Sequence, residues 1–152
     1  HYGWPYCYEH EGVMYEDDPA KQSENRRAKK IVKPNWDRKN INCEEVPKAY
    51  SLFEAHGSPL GFEYFNQEES KMPELNNYFL AALHGPTLPK PDMKIGHHLV
   101  RFKKNHSPEP FIDGFFQNGK QYGRPCGIFQ KDEQSFYFSD DFKGVIYLVR
   151  RH

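Results

Sequence analysis

Seven short runs of apolar and aromatic residues, separated by Gly, Pro, Asn or Asp, occupy the chain from about residue 50 onward. Runs of this length and spacing are typical of β-strands joined by turns, and no helical periodicity covers the same stretch. We therefore predict an all-β fold. The predicted strands are Leu60–Phe65, Tyr78–His84, His98–Lys103, Pro110–Phe115, Pro125–Gln130, Gln134–Ser139 and Gly144–Arg150.

The last two runs are the clearest pair. Both are rich in β-branched and aromatic residues, and between them lies the sequence Asp140-Asp141-Phe142-Lys143-Gly144. This pattern predicts a β-hairpin with a glycine-containing turn. The composition of its two strands predicts that they are buried on both faces.

The spacing of the runs predicts how the strands group into sheets. Those near residues 60, 80, 99 and 111 are expected to form one four-stranded sheet, and those near 126, 136 and 147 three strands of a second. Sheets that recur roughly every 40–50 residues are typical of β-propeller blades. We therefore expect a propeller segment of about two to three antiparallel blades, although a β-sandwich would give the same local patterns. So few blades cannot close a ring, so the chain is expected to be a fragment.

Composition excludes several other classes of protein. Lys and Arg number 21, and Asp and Glu also number 21, so the chain lacks the basic excess of a nucleic-acid-binding protein. Aromatic residues make up 16% of the chain, too many for a disordered segment. No window approaches the length of apolar sequence that a membrane-spanning helix needs, so no membrane span is expected.

Residues 1–50 are expected to form a charged loop excursion, and residues 51–152 the propeller blades. Residues 1–20 carry five acidic and no basic side chains, whereas residues 21–48 carry nine basic and four acidic ones. Such charge runs are usually solvated loop faces. The three cysteines are Cys7, Cys43 and Cys126. They can be unrelated buried thiols, or Cys7 and Cys43 can close this loop as a disulfide, which would indicate an oxidising compartment.

Several segments, in the same order along the chain, resemble the glucose/sorbosone dehydrogenase family. The family patterns are Y-G-W-P-Y-C-Y, A-H-x-x-P-L-G, A-F-V-A-x-H-G, V-V-R-V, G-R-P-x-G, V-S-D-D and G-x-I-Y-R-V. The matching segments are residues 2–8, 55–61, 78–85, 98–102, 123–128, 138–141 and 144–147. Each match is short, but together they span the whole chain and correspond to the C-terminal part of that family.

The resemblance implies a six-bladed β-propeller and a role in sugar oxidation. Many members of the family use pyrroloquinoline quinone with calcium, and transfer a hydride from a sugar hydroxyl or aldehyde to the quinone. The implied partners are a small-molecule sugar and the missing propeller blades. The resemblance also implies that Cys7 pairs with Cys43, and it places the protein outside the cell or in the periplasm.

The resemblance also assigns roles to individual residues. Arg124 is the expected contact for a quinone carboxylate, because the planar guanidinium meets a carboxylate with two hydrogen bonds. The other structural possibility is that Arg124 pairs with a carboxylate such as Asp140. Tyr122 is expected to border the cofactor, with packing as its alternative role.

Two histidines and one tyrosine complete the predicted site. His84 ends an apolar strand and is expected at the cofactor, and His56 is expected to line the sugar pocket. Either histidine can instead be an ordinary strand-end residue. Tyr2 is assigned to the metal, because the Y-G-W-P segment lies near a calcium site in relatives and calcium prefers oxygen ligands.

Two departures from the family weaken the enzymatic interpretation. Members often continue H-G-S-W-N-R, whereas this chain continues from Gly85 with Pro86 and Thr87, so the Asn-Arg pair is lost. The family's general-base histidine lies upstream of the segments matched here, so no catalytic residue is assigned and this chain alone is expected to be inactive. The alternative function is a non-catalytic extracellular propeller that binds a carbohydrate or a protein.

Overall fold

The computed structural model describes residues 7–10, 13–16, 43–54, 56–66, 68–86 and 95–151. The chain divides into two compact units, residues 1–49 and 50–152. In the first unit, strands β1 (Cys7–His10) and β2 (Val13–Glu16) form an antiparallel hairpin, and a 3-10 helix spans Cys43–Glu45. The hairpin lies in the segment for which the sequence predicted only a charged loop.

The second unit contains nine strands and one short 3-10 helix among its described residues, and every strand pair is antiparallel. The all-β prediction is confirmed. The strands are β3 (Pro59–Phe65), β4 (Tyr78–Leu83), β5 (His98–Phe102), β6 (Glu109–Ile112), β7 (Phe116–Gln117), β8 (Lys120–Gln121), β9 (Pro125–Asp132), β10 (Ser135–Asp140) and β11 (Val145–Arg150), and the 3-10 helix is Pro73–Leu75. No helix in the described part of the chain has the length and apolar character needed to cross a membrane.

These strands form the two predicted sheets and one small extra hairpin. The first sheet has four strands in the order β3-β4-β5-β6, and the second has three in the order β11-β10-β9. The two-residue strands β7 and β8 pair around Asn118 and Gly119, both with positive φ. An Asn-Gly pair with positive φ is the favoured connection of a tight hairpin.

Two details of the predicted strands were wrong. Strand β6 ends at Ile112 rather than Phe115, because Gly114 takes a φ of 96° and turns the chain. The last hairpin forms as predicted, but β11 is not buried on both faces, since Ile146 is 72% exposed.

The two sheets pack face to face around one aromatic and aliphatic core. Phe65, Leu80 and Leu99 of the first sheet contact Phe136 and Phe138 of the second. Phe65 and Phe136 meet edge to face, with ring centroids 5.5 Å apart, an arrangement that aromatic pairs prefer. This core holds the strand ends of the two sheets in a fixed relation.

The sheets approach most closely where β3 passes β9. A Cβ on Gly61 would collide with the Cys126 carbonyl oxygen and with the backbone around Gly127. Two residues further along, the Glu63 carboxylate accepts a hydrogen bond from the Gln130 backbone N–H at 3.0 Å. These two strands are therefore the neighbouring edges of the stacked sheets.

The outer faces of the stack are also apolar. On the four-stranded sheet, Ala81, Val100 and Phe102 form a second buried cluster that Phe53 and Phe79 partly cover. The same face continues into exposed apolar side chains, and the outer face of the three-stranded sheet exposes others. These are Leu60, Phe62 and Tyr64 on the first sheet and Phe129, Ile146 and Leu148 on the second.

Candidate functional site

The candidate site lies where strands of both sheets begin or end on the same side. The residues preceding β3 pair with those following β4, since the backbone N–H of Gly85 donates to Gly57 at 2.9 Å and that of His84 to Ser58 at 3.1 Å. Arg124 precedes β9, and Asp141 follows β10. Because the two sheets are stacked, these segments meet at one edge of the unit, which we call the strand-end cluster.

The His84 imidazole makes the most direct polar contact across this cluster. Its Nε2 lies 2.9 Å from both carboxylate oxygens of Asp141. The His84 side chain is 12% exposed and that of Asp141 is 55% exposed, so the pair sits at the boundary with solvent. A carboxylate in this position fixes the ring orientation and favours the tautomer with a proton on Nε2. The arrangement can hold or transfer a proton at His84.

Arg124 connects the two sheets through its guanidinium. Its Nη2 donates to the Gly85 carbonyl at 2.9 Å, and its Nε to the His84 carbonyl at 3.4 Å. Nη1 makes no hydrogen bond to any residue in the described ranges. The sequence analysis left a second possibility, that Arg124 pairs with a carboxylate such as Asp140. Only the backbone of Arg124 makes that contact, since its N–H donates to Asp140 Oδ1 at 3.0 Å. The structure thus brings the Arg124 side chain against the backbone of His84 and Gly85, and their roles at a cofactor stay predictions.

Asp140 stabilises the turn that follows β10 by accepting backbone hydrogen bonds. The residue is buried, and its Oδ1 also accepts the Lys143 backbone N–H at 3.0 Å. Its second oxygen has no hydrogen-bond partner in the described part of the chain. That oxygen and the Phe115 ring lie against Gly123, where a side chain would collide with both. A glycine before Arg124 is therefore required by packing.

His97 is a buried residue that packs between Gly85 and Gly123 of the strand-end cluster. The sequence analysis assigned it no role. It is 2% exposed, its ring stacks on Phe116 at 5.2 Å, and its Nδ1 lies 3.3 Å from the Gly123 carbonyl. Its Nε2 has no hydrogen-bond partner among the described residues and lies against Gly85, where any side chain would overlap the imidazole. No local sequence signal marks His97, because its neighbours come from distant segments.

Burial lowers the pKa of His97 below its ordinary value of 6.5. The hydrogen bond to the Gly123 carbonyl acts in the opposite direction, while the charges of Arg124, His84 and His98 lower the pKa further. His97 is therefore the neutral imidazole that donates from Nδ1 to the carbonyl. Its adjacent residue His98 instead bonds the Gly96 carbonyl through Nδ1 at 2.6 Å.

The other predicted site residues are more peripheral or lie outside the described residues. His56 is exposed, with a φ of 68°, next to the Gly57 and Ser58 carbonyls that pair with the end of β4. Tyr122 is 40% exposed, and Lys120 Nζ lies 5.3 Å from the centre of its ring. The predicted metal ligand Tyr2 lies outside the described ranges.

Two of the three cysteine side chains, those of Cys7 and Cys126, are described in the structure. Cys7 is buried and disulfide-bonded, and Cys126 is free. The side chain of Cys43 lies outside the described set, so its pairing with Cys7 stays a prediction. Among the described residues, no group of three or more His, Cys, Asp and Glu side chains is placed to hold a metal ion.

No protein-family model matches the sequence, and neither a curated protein nor a solved structure matches the chain. The all-β fold and the strand-end cluster are therefore known from the structure of this chain alone.

Proposed function

We propose that the chain forms successive blades of a β-propeller related to the glucose/sorbosone dehydrogenases. Its strand-end cluster would contribute to a pocket for pyrroloquinoline quinone and a sugar. The protein would act outside the cell or in the periplasm, oxidising a sugar hydroxyl or aldehyde by hydride transfer to the quinone. The observation that carries the proposal is that Arg124 and His84, and the backbone next to His56, occupy one edge of the stacked sheets.

The packing of the sheets supports the propeller. Propeller blades are small antiparallel sheets that stack around an axis, so each blade has neighbours on both faces. Here two such sheets stack with β3 nearest β9, and both outer faces carry exposed apolar residues. Large exposed apolar patches on a folded unit usually mark a surface that another element covers. Further blades on both sides would bury them.

The described residues fit one part of a quinone site. The quinone carries carboxylates, and Arg124 Nη1 would offer such a group a charge-assisted hydrogen bond. His84, oriented by Asp141, would border the same pocket and hold a proton at its ring. When bound, the quinone would supply the hydride acceptor. Calcium ligands, with Tyr2 among the candidates, would come from outside the described residues or from other blades.

The direct test is a titration of the full-length protein with pyrroloquinoline quinone in the presence of calcium, followed by quinone absorbance. Arg124→Gln is expected to weaken quinone binding about tenfold or more, since it removes a charged hydrogen bond. Arg101→Gln is the control, because the Arg101 guanidinium is likewise hydrogen-bonded, to the Glu109 carboxylate and the Glu74 carbonyl, but lies on β5 away from the strand-end cluster. No saturable binding, or equal losses in both variants, would refute the quinone site.

A second candidate is a non-catalytic propeller that binds a carbohydrate or a protein. The observation that favours it is that both hydrogen bonds of the Arg124 guanidinium go to backbone carbonyls, so its charge already serves to join the two sheets. In that case Arg124→Gln would lower the free energy of unfolding, and the wild-type protein would bind no quinone.

A further inference from the structure

Strand β11 is an outer strand of the second sheet, and one of its two edges pairs with no strand in the described part of the chain. The Arg151 N–H donates to the Gln134 carbonyl at 3.0 Å, in register with the pairing of β10 and β11. Because hydrogen-bonded positions alternate along an antiparallel pair, the backbone N–H and C=O groups of Ile146, Leu148 and Arg150 point away from β10. We call this row of backbone groups the free edge of β11.

The outer edge of the first sheet is protected against further pairing, whereas the free edge of β11 is not. Its outer strand, β6, is four residues long and contains Pro110, which has no N–H, and its pairing with β5 is shifted at one point. Short length, proline and irregular pairing are devices that prevent the addition of a strand. Strand β11 has six residues, no proline and a regular register with β10. It therefore has the features of an edge that accepts another strand.

A short repeat relates β11 to β5, since each is the third strand of its sheet. Both contain the sequence Leu-Val-Arg, at residues 99–101 and 148–150. Leu99 packs in the core between the sheets, so it faces the second sheet, whereas the exposed Leu148 lies on the outer face of the second sheet. Both leucines therefore point in the same direction along the stack. Since alternate residues of a strand share a face, Arg101 and Arg150 occupy equivalent positions.

In the first sheet, the fourth strand supplies a carboxylate to this arginine. Arg101 lies opposite Glu109, the first residue of β6, and donates to one Glu109 carboxylate oxygen from Nε at 3.0 Å and from Nη2 at 2.8 Å. The second sheet has no fourth strand in the described ranges, and the exposed Arg150 guanidinium has no hydrogen bond or ion pair to any residue there. A strand that pairs with β11 as β6 pairs with β5 would place its first residues opposite Arg150.

We propose that the free edge of β11 binds an extended acidic segment of a partner protein. The segment would add to the second sheet as a fourth, antiparallel strand, and a carboxylate near its N-terminal end would pair with Arg150. Backbone hydrogen bonds to Ile146, Leu148 and Arg150 would supply most of the affinity. A second copy of β11 fits this edge less well, because centred antiparallel pairing would put Ile146, and no acidic residue, opposite Arg150. The surface is independent of the proposed quinone pocket, since it is the side of a strand rather than the strand-end cluster.

The test is an NMR titration of the full chain with a blocked synthetic peptide, Ser-Thr-Glu-Val-Phe-Ile-Thr, which follows the β6 sequence without its prolines. Saturable shifts of the Ile146, Leu148 and Arg150 amides are expected. The same peptide with N-methyl groups on alternate backbone nitrogens should not bind, because it cannot donate to the strand. Glutamine in place of the peptide glutamate, or Arg150→Gln in the protein, should weaken binding about fivefold. Both changes together should weaken it no further, because each removes the same ion pair.

Lys143→Gln is the control, because Lys143 is an exposed cation that precedes β11, at the opposite end from Arg150. This variant should bind the peptide like the wild type. Equal weakening in Lys143→Gln and Arg150→Gln would mean that only net charge matters and would overturn the proposed pairing. Shifts that never saturate in the wild type would also overturn it.

Amide hydrogen exchange of the protein without peptide distinguishes the other possible occupants of the edge. The amides of Ile146, Leu148 and Arg150 are expected to exchange rapidly, because no strand protects them. Protection that does not depend on protein concentration would mean that another segment of the same polypeptide covers the edge. Protection that rises with concentration would mean that a second copy does so. Either result would overturn the proposal.

Discussion

His84 and Asp141 join the ends of two different sheets through an imidazole whose Nε2 is 2.9 Å from each carboxylate oxygen. His84 follows β4 of the four-stranded sheet, and Asp141 follows β10 of the three-stranded sheet. Asp140, the neighbour of Asp141, performs a different task, since it is buried and accepts two backbone N–H groups. Of these two adjacent aspartates, Asp141 makes a polar contact at the surface, and Asp140 holds the turn through backbone hydrogen bonds.

Asp140→Ala is expected to lower the free energy of unfolding by about 2–3 kcal/mol, because it leaves the Arg124 and Lys143 N–H groups without their acceptor. Asp141→Ala should lower it by no more than about 1 kcal/mol, since Asp141 is largely exposed and a polar contact with an exposed carboxylate contributes little. Urea unfolding of both variants provides the measurement. Equal losses in the two variants would contradict the assigned roles.

Gly61→Ala is expected to destabilise the protein by about 2–4 kcal/mol, because the added methyl group meets the rigid backbone of Cys126 and Gly127 in the other sheet. Gly127→Ala is the control, since its nearest obstacle is the Ser139 hydroxyl at 3.2 Å, the end of a small side chain. That variant should lose about 1 kcal/mol or less. Thermal or urea unfolding compares them. A tolerated Gly61→Ala would mean that β3 and β9 are further apart than described.

Phe136→Ala is expected to cost about 3–5 kcal/mol, because Phe136 is fully buried between the two sheets, where it packs on Phe65. Phe142→Ala removes the same side chain from the exposed turn between β10 and β11, where Phe142 is 55% exposed. It should cost less than about 1 kcal/mol. The difference between the two urea midpoints measures the contribution of the inter-sheet core. Similar midpoints would contradict the stacking of the sheets.

The buried His97 predicts a loss of stability in mild acid. Its pKa is lowered in the folded state, so the unfolded chain binds the proton more readily once the pH falls below 6.5. The contribution of His97 is therefore fully present above that pH, and it declines as the pH falls toward the lowered folded pKa. The free energy of unfolding should therefore decrease as the pH falls below about 6.5.

His97→Asn isolates this effect. Asparagine tolerates the φ of 59° at this position, and its amide can donate to the Gly123 carbonyl without titrating. The variant should lack the part of the pH dependence that His97 causes. Urea unfolding of both proteins at several pH values measures the difference. Parallel pH profiles would show that His97 does not titrate as described.

The strands could be predicted from sequence because their signals are local. Tyr78–Leu83 is a continuous apolar and aromatic run, and Ser135–Asp140 contains three consecutive aromatic residues. Turn residues bound both segments, and the turn that ends at Gly144 marks the last hairpin. Whether a face is buried depends on what packs against it. This explains why the exposure of Ile146 was not predicted: β11 has the composition of a buried strand, but no element described in the structure covers that face.

The site was predictable only in part, for the same reason. The positions of Arg124 and His84 followed from short motifs at strand ends. The acceptors of the Arg124 guanidinium lie about forty residues away in sequence, so no local pattern could identify them. His97 was missed because its burial depends on Gly85 and Gly123, which come from two other segments.

The most direct test of the proposed function is a crystal structure of the full-length protein grown with pyrroloquinoline quinone and calcium. The account predicts a quinone carboxylate about 2.7–2.9 Å from the Arg124 guanidinium, with His84 at the edge of the same pocket. It would be contradicted by a quinone bound elsewhere, or by crystals without quinone in which Arg124 still donates only to the carbonyls of His84 and Gly85.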